Sequence, residues 1–272
     1  MNYYLLGYPV GHSVSPAMHN AAFKELGLPH IYSLLETEPE KLGETVQRLR
    51  ENKFGGANVT TPHKIEIIKH MDTLAPSAKR IGAVNTIENR GGQLIGHNTD
   101  VIGGIKALTL KYGELTESRV VLLGAGGAAR ALAQELAPKV SELVILNRSP
   151  DKADKLARIL PGNTVGAGLG EQQVVKTADI VINATSVGMT PNTSESPIDA
   201  QYLRQGQLVY DIVYNPIKTK LMQDAEKAGA ETLGGLWMLV YQGVESFKIW
   251  TDQEPTAETM YNAALRVLED WH

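Results

Sequence analysis

Apolar residues along this chain follow two patterns: short continuous runs, and longer stretches where they recur every three or four positions. The first reads as buried strand and the second as amphipathic helix. Tyr3–Gly7 and Ile31–Leu35 read as strands, and Phe54–Val59 is strand-like. Between them, a helix is predicted from Pro16 through Leu26, with Ser15 as its N-cap and Gly27 as its stop. Lys41–Leu49 is helical with Leu42, Val46 and Leu49 on one face, and Lys64–Met71 is helical after Pro62. Ala83–Glu88 and Gln93–Gly96 then read as a β-hairpin through Asn89-Arg90-Gly91-Gly92, and Asp100–Leu110 as a helix.

The pattern is sharpest over Arg119–Ser149. Val120-Val121-Leu122-Leu123 runs into Gly124-Ala125-Gly126-Gly127-Ala128-Ala129, and a helix with Ala131, Leu132, Leu136 and Ala137 apolar follows, broken by Pro138. A second run, Leu143–Leu146, ends in Asn147-Arg148-Ser149. Beyond this βαβ unit, Lys152–Ile159 is helical, Ile180–Asn183 and Leu208–Ile212 are strands, and Lys218–Ala228 is helical. Glu195-Ser196-Pro197 and its neighbours read as a polar loop, and helices over Leu236–Trp250 and Thr256–Leu268 close the chain. Alternating elements of this kind predict an α/β fold around a mostly parallel sheet.

The first turn of the βαβ unit carries G-x-G-x-x-A between a strand and a helix, the context in which that motif binds a dinucleotide. Gly124 permits the tight turn, Gly126 lets a pyrophosphate approach the backbone, and Ala129 lets the helix sit close to the sheet. The free N–H groups and dipole of the helix then face the phosphates. An NAD site wants a carboxylate at the end of the second strand, for the ribose 2′-hydroxyl. Asn147-Arg148-Ser149 stands there instead, with Lys152 one turn on. Arg binds a 2′-phosphate bidentately and a carboxylate would repel it, so NADP is the expected cofactor.

Composition narrows the field. The 26 basic and 30 acidic residues give a net charge of -4, which argues against a nucleic-acid binder. With no cysteine, thiol catalysis, disulfides and Cys-ligated metal are excluded. The histidines show no H-E-x-x-H or H-x-x-E-H spacing, so no metal is expected; His12, His19 and His63 read as pocket walls or satisfied surface residues. Neither a signal-peptide pattern at Met1–Leu6 nor a membrane-length apolar run is present, and a cytoplasmic protein without membrane contact is expected.

The unusual residues of the first half cluster in loops expected to follow strands: Gly11–Pro16, Asn58–Lys64, Gly82–Thr86 and Asn98–Asp100. Strand C-termini share an edge, and ligands bind there. The resulting pocket would be lined by neutral hydroxyls and amides with one Lys and one Asp, a lining suited to a small polyhydroxylated ligand.

Taken with Gly124–Arg130, Asn147–Ser149, Asn183–Gly188 and Gly235–Gln242, these segments resemble the shikimate dehydrogenase family over nearly the whole chain. The resemblance implies a two-domain α/β fold, with an N-terminal substrate domain, a Rossmann-like doubly wound NADP domain and the active site in the groove between them. The substrate domain would take residues 1–100, completed by the C-terminal helices of 235–272, and the NADP domain 101–234. The implied reaction is reversible hydride transfer between NADPH and 3-dehydroshikimate, giving shikimate and NADP. A homodimer is compatible with it.

By the same resemblance, Ser13 and Ser15 correspond to a serine pair that holds the substrate carboxylate. Thr60, Asn85, Asp100 and Gln242 correspond to hydroxyl-binding residues, with Asn58 and Tyr214 lining the same site. Lys64 and Asp100 match the catalytic pair. Gly124, Ala125, Gly126, Gly127, Ala128, Asn147, Arg148, Ser149, Lys152, Ile212 and Gly235 match cofactor-contacting positions. Ser149 stands where threonine is common and Lys152 where arginine is frequent, so the grip on the 2′-phosphate rests chiefly on Arg148. The Ser-x-Ser pair favours shikimate over quinate. Chemically, reduction of a ketone puts negative charge on its oxygen. Lys64 would donate to or stabilise that alkoxide, and Asp100 would orient Lys64 and a substrate hydroxyl. A protein that only senses these ligands would need no such pair.

Overall fold

The computed structural model describes residues 1–271. The chain divides into two compact units, Met1–Gly103 with Val240–His272, and Gly104–Leu239. Each division falls inside a helix rather than at its start.

The first unit begins with β1 (Asn2–Gly7), α1 (Ser15–Glu25), β2 (Ile31–Glu36), α2 (Leu42–Arg48) and β3 (Phe54–Val59). Next come β4 (Thr73–Leu74), α3 (Pro76–Ile81), β5 (Thr86–Arg90) and β6 (Gln93–His97), and then α4 (Asp100–Tyr112). Its sheet has the order β2-β1-β3-β5-β6-β4. β1 pairs in parallel with β2 and β3, whereas β5 is antiparallel to both of its neighbours. The sheet is therefore mixed but still mostly parallel, with β5 the reversed strand, because the tight Asn89–Gly92 turn returns the chain beside itself. Since β5 runs against β3 and β6, its first residues lie at the edge where β1, β3 and β6 end. Gly82–Thr86 thus leads into a strand rather than following one, and still arrives at the same edge as the other loops.

Two local expectations are corrected. Val14, not Ser15, takes the cap position of α1, and the Ser13 hydroxyl donates to Ser15 Oγ at 3.2 Å. Residues 64–71 form turns and a 3₁₀ helix over Glu66–His70 instead of an α-helix. The cause lies in tertiary pairing. Val84 N–H takes the Lys64 carbonyl that a regular helix would offer to Ile68, and Ile68 N–H turns to Ile65.

The second unit contains β7 (Arg119–Leu123), α5 (Gly127–Leu136), β8 (Glu142–Asn147), α6 (Pro150–Arg158), β9 (Thr164–Gly168), β10 (Ile180–Asn183), β11 (Leu208–Asp211), α7 (Lys220–Lys227) and β12 (Glu231–Gly234). Every pairing in its sheet is parallel, in the order β12-β11-β10-β7-β8-β9. This is the doubly wound nucleotide-binding order, with its switch point between β7 and β10. β10 and β11 are buried throughout, as parallel strands covered on both faces must be. The edge strands β9 and β12 carry little apolar signal: Thr164-Val-Gly-Ala-Gly buries only Ala167, and Glu231-Thr-Leu-Gly only Leu233.

Two helices, α8 (Leu236–Thr251) and α9 (Ala257–Glu269), complete the chain. In the first unit, α2 lays Leu42, Val46 and Leu49 against Leu6, Phe54, Val59 and Ile87. An aromatic cluster forms apart from that group: Tyr3 packs on Phe23 at 5.2 Å and on Trp250 at 4.9 Å, and Trp250 donates its indole N–H to the Ile87 carbonyl at 2.9 Å. Among the described residues, no helix is long and apolar enough to cross a membrane.

Candidate active site

At the sheet edge of the first unit, Lys64 Nζ lies 2.6 Å from Asp100 Oδ2, with both side chains partly open to solvent. Neither is placed by a long flexible loop. The Lys64 carbonyl is held by Val84 N–H, and Asp100 opens α4 with its own N–H on Asn98 Oδ1. Asn85 binds the other carboxylate oxygen, donating from Nδ2 to Asp100 Oδ1 at 2.8 Å and to Thr99 Oγ1 at 2.9 Å. Gln242 Oε1 lies 3.3 Å from the same nitrogen. Thr60 follows β3, its N–H on the Leu6 carbonyl, and the Ser13–Ser15 pair stands at the start of α1. The sequence-selected residues Lys64, Asp100, Asn85 and Gln242 are thus one hydrogen-bonded group.

Asn58 differs from expectation in direction. It is buried and its carboxamide is turned into the protein: Oδ1 accepts from the Tyr32 hydroxyl at 2.8 Å, and Nδ2 faces Asn85 O, Thr86 Oγ1 and Ser246 Oγ. Tyr32 and Ser246 escaped the sequence reading. Ser246 had a signal, since it follows Gln242 by one helical turn on α8 and so shares its face. The histidines also divide. His12 is exposed, and His63 is buried with Nε2 2.7 Å from the Thr37 carbonyl. His19 is neither at the surface nor satisfied: it is fully buried and neither ring nitrogen has a hydrogen-bond partner among the described residues. No group of three or more His, Cys, Asp or Glu side chains among the described residues is arranged to hold a metal.

In the second unit a cleft of about 680 Å³ opens where β7, β8 and β10 end, lined by Gly124, Ala125, Gly126, Asn147, Arg148 and Thr185 among others. Gly124 has φ +112, which a residue with a side chain rarely adopts. A Cβ added at Gly126 or Gly127 would meet nothing within 4 Å, so the backbone at the start of α5 faces open space. Ala128 follows in the first turn of α5, and Ala129 beside it is fully buried, as close packing of that helix requires. Arg148, Ser149 and Lys152 are exposed, and Asn147 Nδ2 donates to the Ser149 carbonyl at 3.1 Å. These residues fit a dinucleotide with a 2′-phosphate. Asn192, Glu195 and Ser196 also line the cleft, which gives the polar loop a place the sequence did not reveal.

At the end of β11 a carboxylate is buried with no ion-pair partner among the described residues. Asp211 Oδ1 accepts from Asn183 Nδ2 at 2.9 Å and Val213 N–H at 3.0 Å, and Oδ2 accepts from Thr219 Oγ1 at 2.7 Å. Burial raises its pKa to about 6, and these hydrogen bonds offset only part of that. Asp211 thereby ties the ends of β10 and β11 to the N-cap of α7. Beyond it lie Ile212 and Tyr214, both half-buried, and desolvation raises the Tyr214 hydroxyl's pKa. Gly235 approaches this segment so closely that a Cβ would sit 2.2 Å from the Ile212 carbonyl oxygen.

A doubly wound nucleotide-binding unit, joined in one chain to an α/β unit that presents a Lys–Asp pair among hydroxyls and amides, defines a nicotinamide-nucleotide-dependent oxidoreductase acting on an alcohol group. Family comparison supplies the particulars. Residues 5–87 match the shikimate dehydrogenase substrate binding domain, residues 107–221 the shikimate / quinate 5-dehydrogenase model and residues 235–265 the shikimate 5′-dehydrogenase C-terminal domain. The shikimate dehydrogenase (NADP(+)) of Thermococcus kodakarensis is 45% identical over 98% of this chain and 97% of its own. A solved shikimate dehydrogenase in complex with NADP+ superposes with a TM-score of 0.91 at 42% identity, covering 98% of this chain and 95% of that one. The Thermus thermophilus enzyme in complex with NADP(H) and shikimate gives 0.89 at 36% identity, covering 98% and 99%. The chain belongs to the shikimate dehydrogenase family.

Two outcomes follow from this geometry. Gly235→Ala should destabilise the protein by roughly 1–3 kcal/mol in urea unfolding, because the backbone at Ile212 must move. Asp211 contributes stability that is full below the ordinary 3.8 and is lost as pH rises through about 6, since the folded chain holds its proton longer. The stability of Asp211→Asn relative to the parent should therefore grow from pH 4 to pH 7, by roughly 1–3 kcal/mol, and then level off. A pH-independent difference in thermal melts would contradict the buried-charge account.

Proposed function

We propose that this chain is an NADP-dependent shikimate dehydrogenase, catalysing the reversible reduction of 3-dehydroshikimate to shikimate in aromatic amino-acid biosynthesis. The observation that carries the reading is the Lys64 ammonium 2.6 Å from the Asp100 carboxylate, in a chain of this family. Bound NADP supplies the hydride acceptor, and NADPH the donor. The remaining chemistry falls to side chains. Ser13 and Ser15 hold the substrate carboxylate. Thr60, Asp100, Gln242 and Asn85 bind its hydroxyls, and Asn58, turned into the protein, supports Asn85 from behind. Both hydrogens of Asn85 Nδ2 are already engaged within the protein, so a substrate hydroxyl replaces one of those partners. Lys64 stabilises the alkoxide and gives it a proton, or takes one in the oxidative direction, while Asp100 holds Lys64 in place.

On the nucleotide side, the backbone from Gly124 through Ala125, Gly126, Gly127 and Ala128 receives the pyrophosphate at the start of α5. Arg148 and Lys152 take the 2′-phosphate with Ser149 and Asn147 beside them, and Ile212 and Gly235 face the nicotinamide. The absence of cysteine suits a reducing cytoplasm. Self-association as a homodimer would be served by edge strand β2, which exposes Ile31 and Leu34.

Absorbance at the nicotinamide band tests the reading, with shikimate and NADP against NAD and quinate in parallel. Lys64→Ala should lower kcat about 10²–10⁴-fold with little change in KM, and Lys64→Arg should not restore it. Near-parental turnover in Lys64→Ala would remove Lys64 from the mechanism. Arg148→Ala should raise KM for NADP roughly 10–100-fold, the loss of a charge-assisted bond, and leave KM for NAD nearly unchanged. Tight binding of both ligands without turnover would point to a sensor instead.

A further inference from the structure

The Lys64–Asp100 pair is the outer end of a hydrogen-bonded series that runs back into the first unit. Asn85 Nδ2 donates to Asp100, and Asn58 Nδ2 lies 3.2 Å from the Asn85 carbonyl, 3.1 Å from Thr86 Oγ1 and 3.0 Å from Ser246 Oγ. At the inner end, the Tyr32 hydroxyl donates to Asn58 Oδ1 at 2.8 Å. A carboxamide can sit either way round, and here only one way works. The Asn85 carbonyl accepts and never donates, so it needs the Asn58 nitrogen, and the oxygen must then find a donor on its other side. Tyr32 is that donor.

Tyr32 is held more firmly than an edge-strand residue ordinarily is. β2 ends the sheet, and on its uncovered side the carboxamide of Asn20 closes both backbone groups of Tyr32, with Nδ2 on the carbonyl and Oδ1 on the N–H, each at 2.8 Å. His19, the residue before Asn20 on α1, stacks on the Tyr32 ring at 4.3 Å and 11°. Burial lowers the His19 pKa to about 3, and Asn58 beside it pulls weakly the other way. The ring is therefore neutral and works through its face. Burial also keeps the Tyr32 hydroxyl protonated, since its pKa lies well above the ordinary value. Consecutive residues of α1 thus clamp the backbone and the ring of one tyrosine.

We infer that Tyr32 is a positioning residue for the reaction. Its hydroxyl sets the orientation of Asn58, and Asn58 holds the Asn85 segment so that the Asn85 amide meets Asp100 and Asp100 meets Lys64. This rests on the dehydrogenase reading, in which the Lys–Asp pair acts on the substrate. It adds residues that touch neither substrate nor cofactor and are chosen by what they orient.

The test is a double-mutant cycle on the full-length protein, with shikimate and NADP. Tyr32→Phe keeps the ring and its stack on His19 and removes only the hydroxyl. It should lower kcat about 5–20-fold, with KM for NADP changed less than about twofold and KM for shikimate rising by a smaller factor than kcat falls, since the effect reaches the substrate only through Asn85 and Asp100. In an Asn58→Ala background the same change should alter kcat less than about twofold, because the residue through which Tyr32 acts is gone. Thermal melts run on every variant separate folding from function. A Tyr32→Phe protein with parental kcat, or one that only melts earlier, would overturn the inference, as would effects of Tyr32→Phe and Asn58→Ala that multiply independently. If the parent protein itself turns over no shikimate, the dehydrogenase reading falls and the inference with it. An active parent with an indifferent Tyr32→Phe removes the inference alone.

Discussion

A carboxamide buried at the end of a sheet must find partners for an oxygen and two N–H groups, and Asn85 finds all of them beside the Lys64–Asp100 pair. Its oxygen accepts from Thr99 N–H and the Thr86 hydroxyl, and its nitrogen reaches Asp100, Thr99 and Gln242. These partners come from three stretches of chain, so the position of Asn85 is set by β5, by the start of α4 and by α8 together. An unpaired polar group in such a place would cost roughly 1–3 kcal/mol. The requirement to satisfy it fixes Asp100, on which the Lys64 ammonium rests, and most of the arrangement at that sheet edge follows.

The second unit solves a different problem with backbone instead of side chains. Its cleft needs free N–H groups, room above them and a cation at the far end. The glycine turn after β7 gives the first two, and Arg148 after β8 the third. Side-chain hydrogen bonds recede here to a supporting role. Asp211 shows this: its carboxylate stitches β10, β11 and α7 together within the unit.

How far the sequence could be read depended on whether a feature was local. β3 and β10 have observed bounds that coincide with those expected from the sequence. The glycine turn and Arg148 sit within one βαβ unit, so spacing alone located them. The Lys64 segment defeated a helical pattern because Val84, distant in sequence, claims its carbonyl. β9 and β12 lack signal because an edge strand with a glycine-rich or four-residue sequence has little to bury. In the site, loop composition picked out Lys64 and Asp100, and the family resemblance added Asn85 and Asn58. Neither could show that Asn58 faces inward, since that depends on Tyr32 from β2 and Ser246 from α8.

The first unit is discontinuous, whereas the second is a single uninterrupted stretch, Gly104–Leu239. A chain emerging from the ribosome therefore completes the second unit before the first. Until α8 arrives, Asn85 and Asn58 lack Gln242 and Ser246, and the aromatic cluster lacks Trp250. The usual order, in which N-terminal domains mature first during synthesis, is inverted. The second unit is finished while the first still waits for its last helices, and a ribosome stalled just after Leu239 would carry a complete second unit beside an unfinished first one.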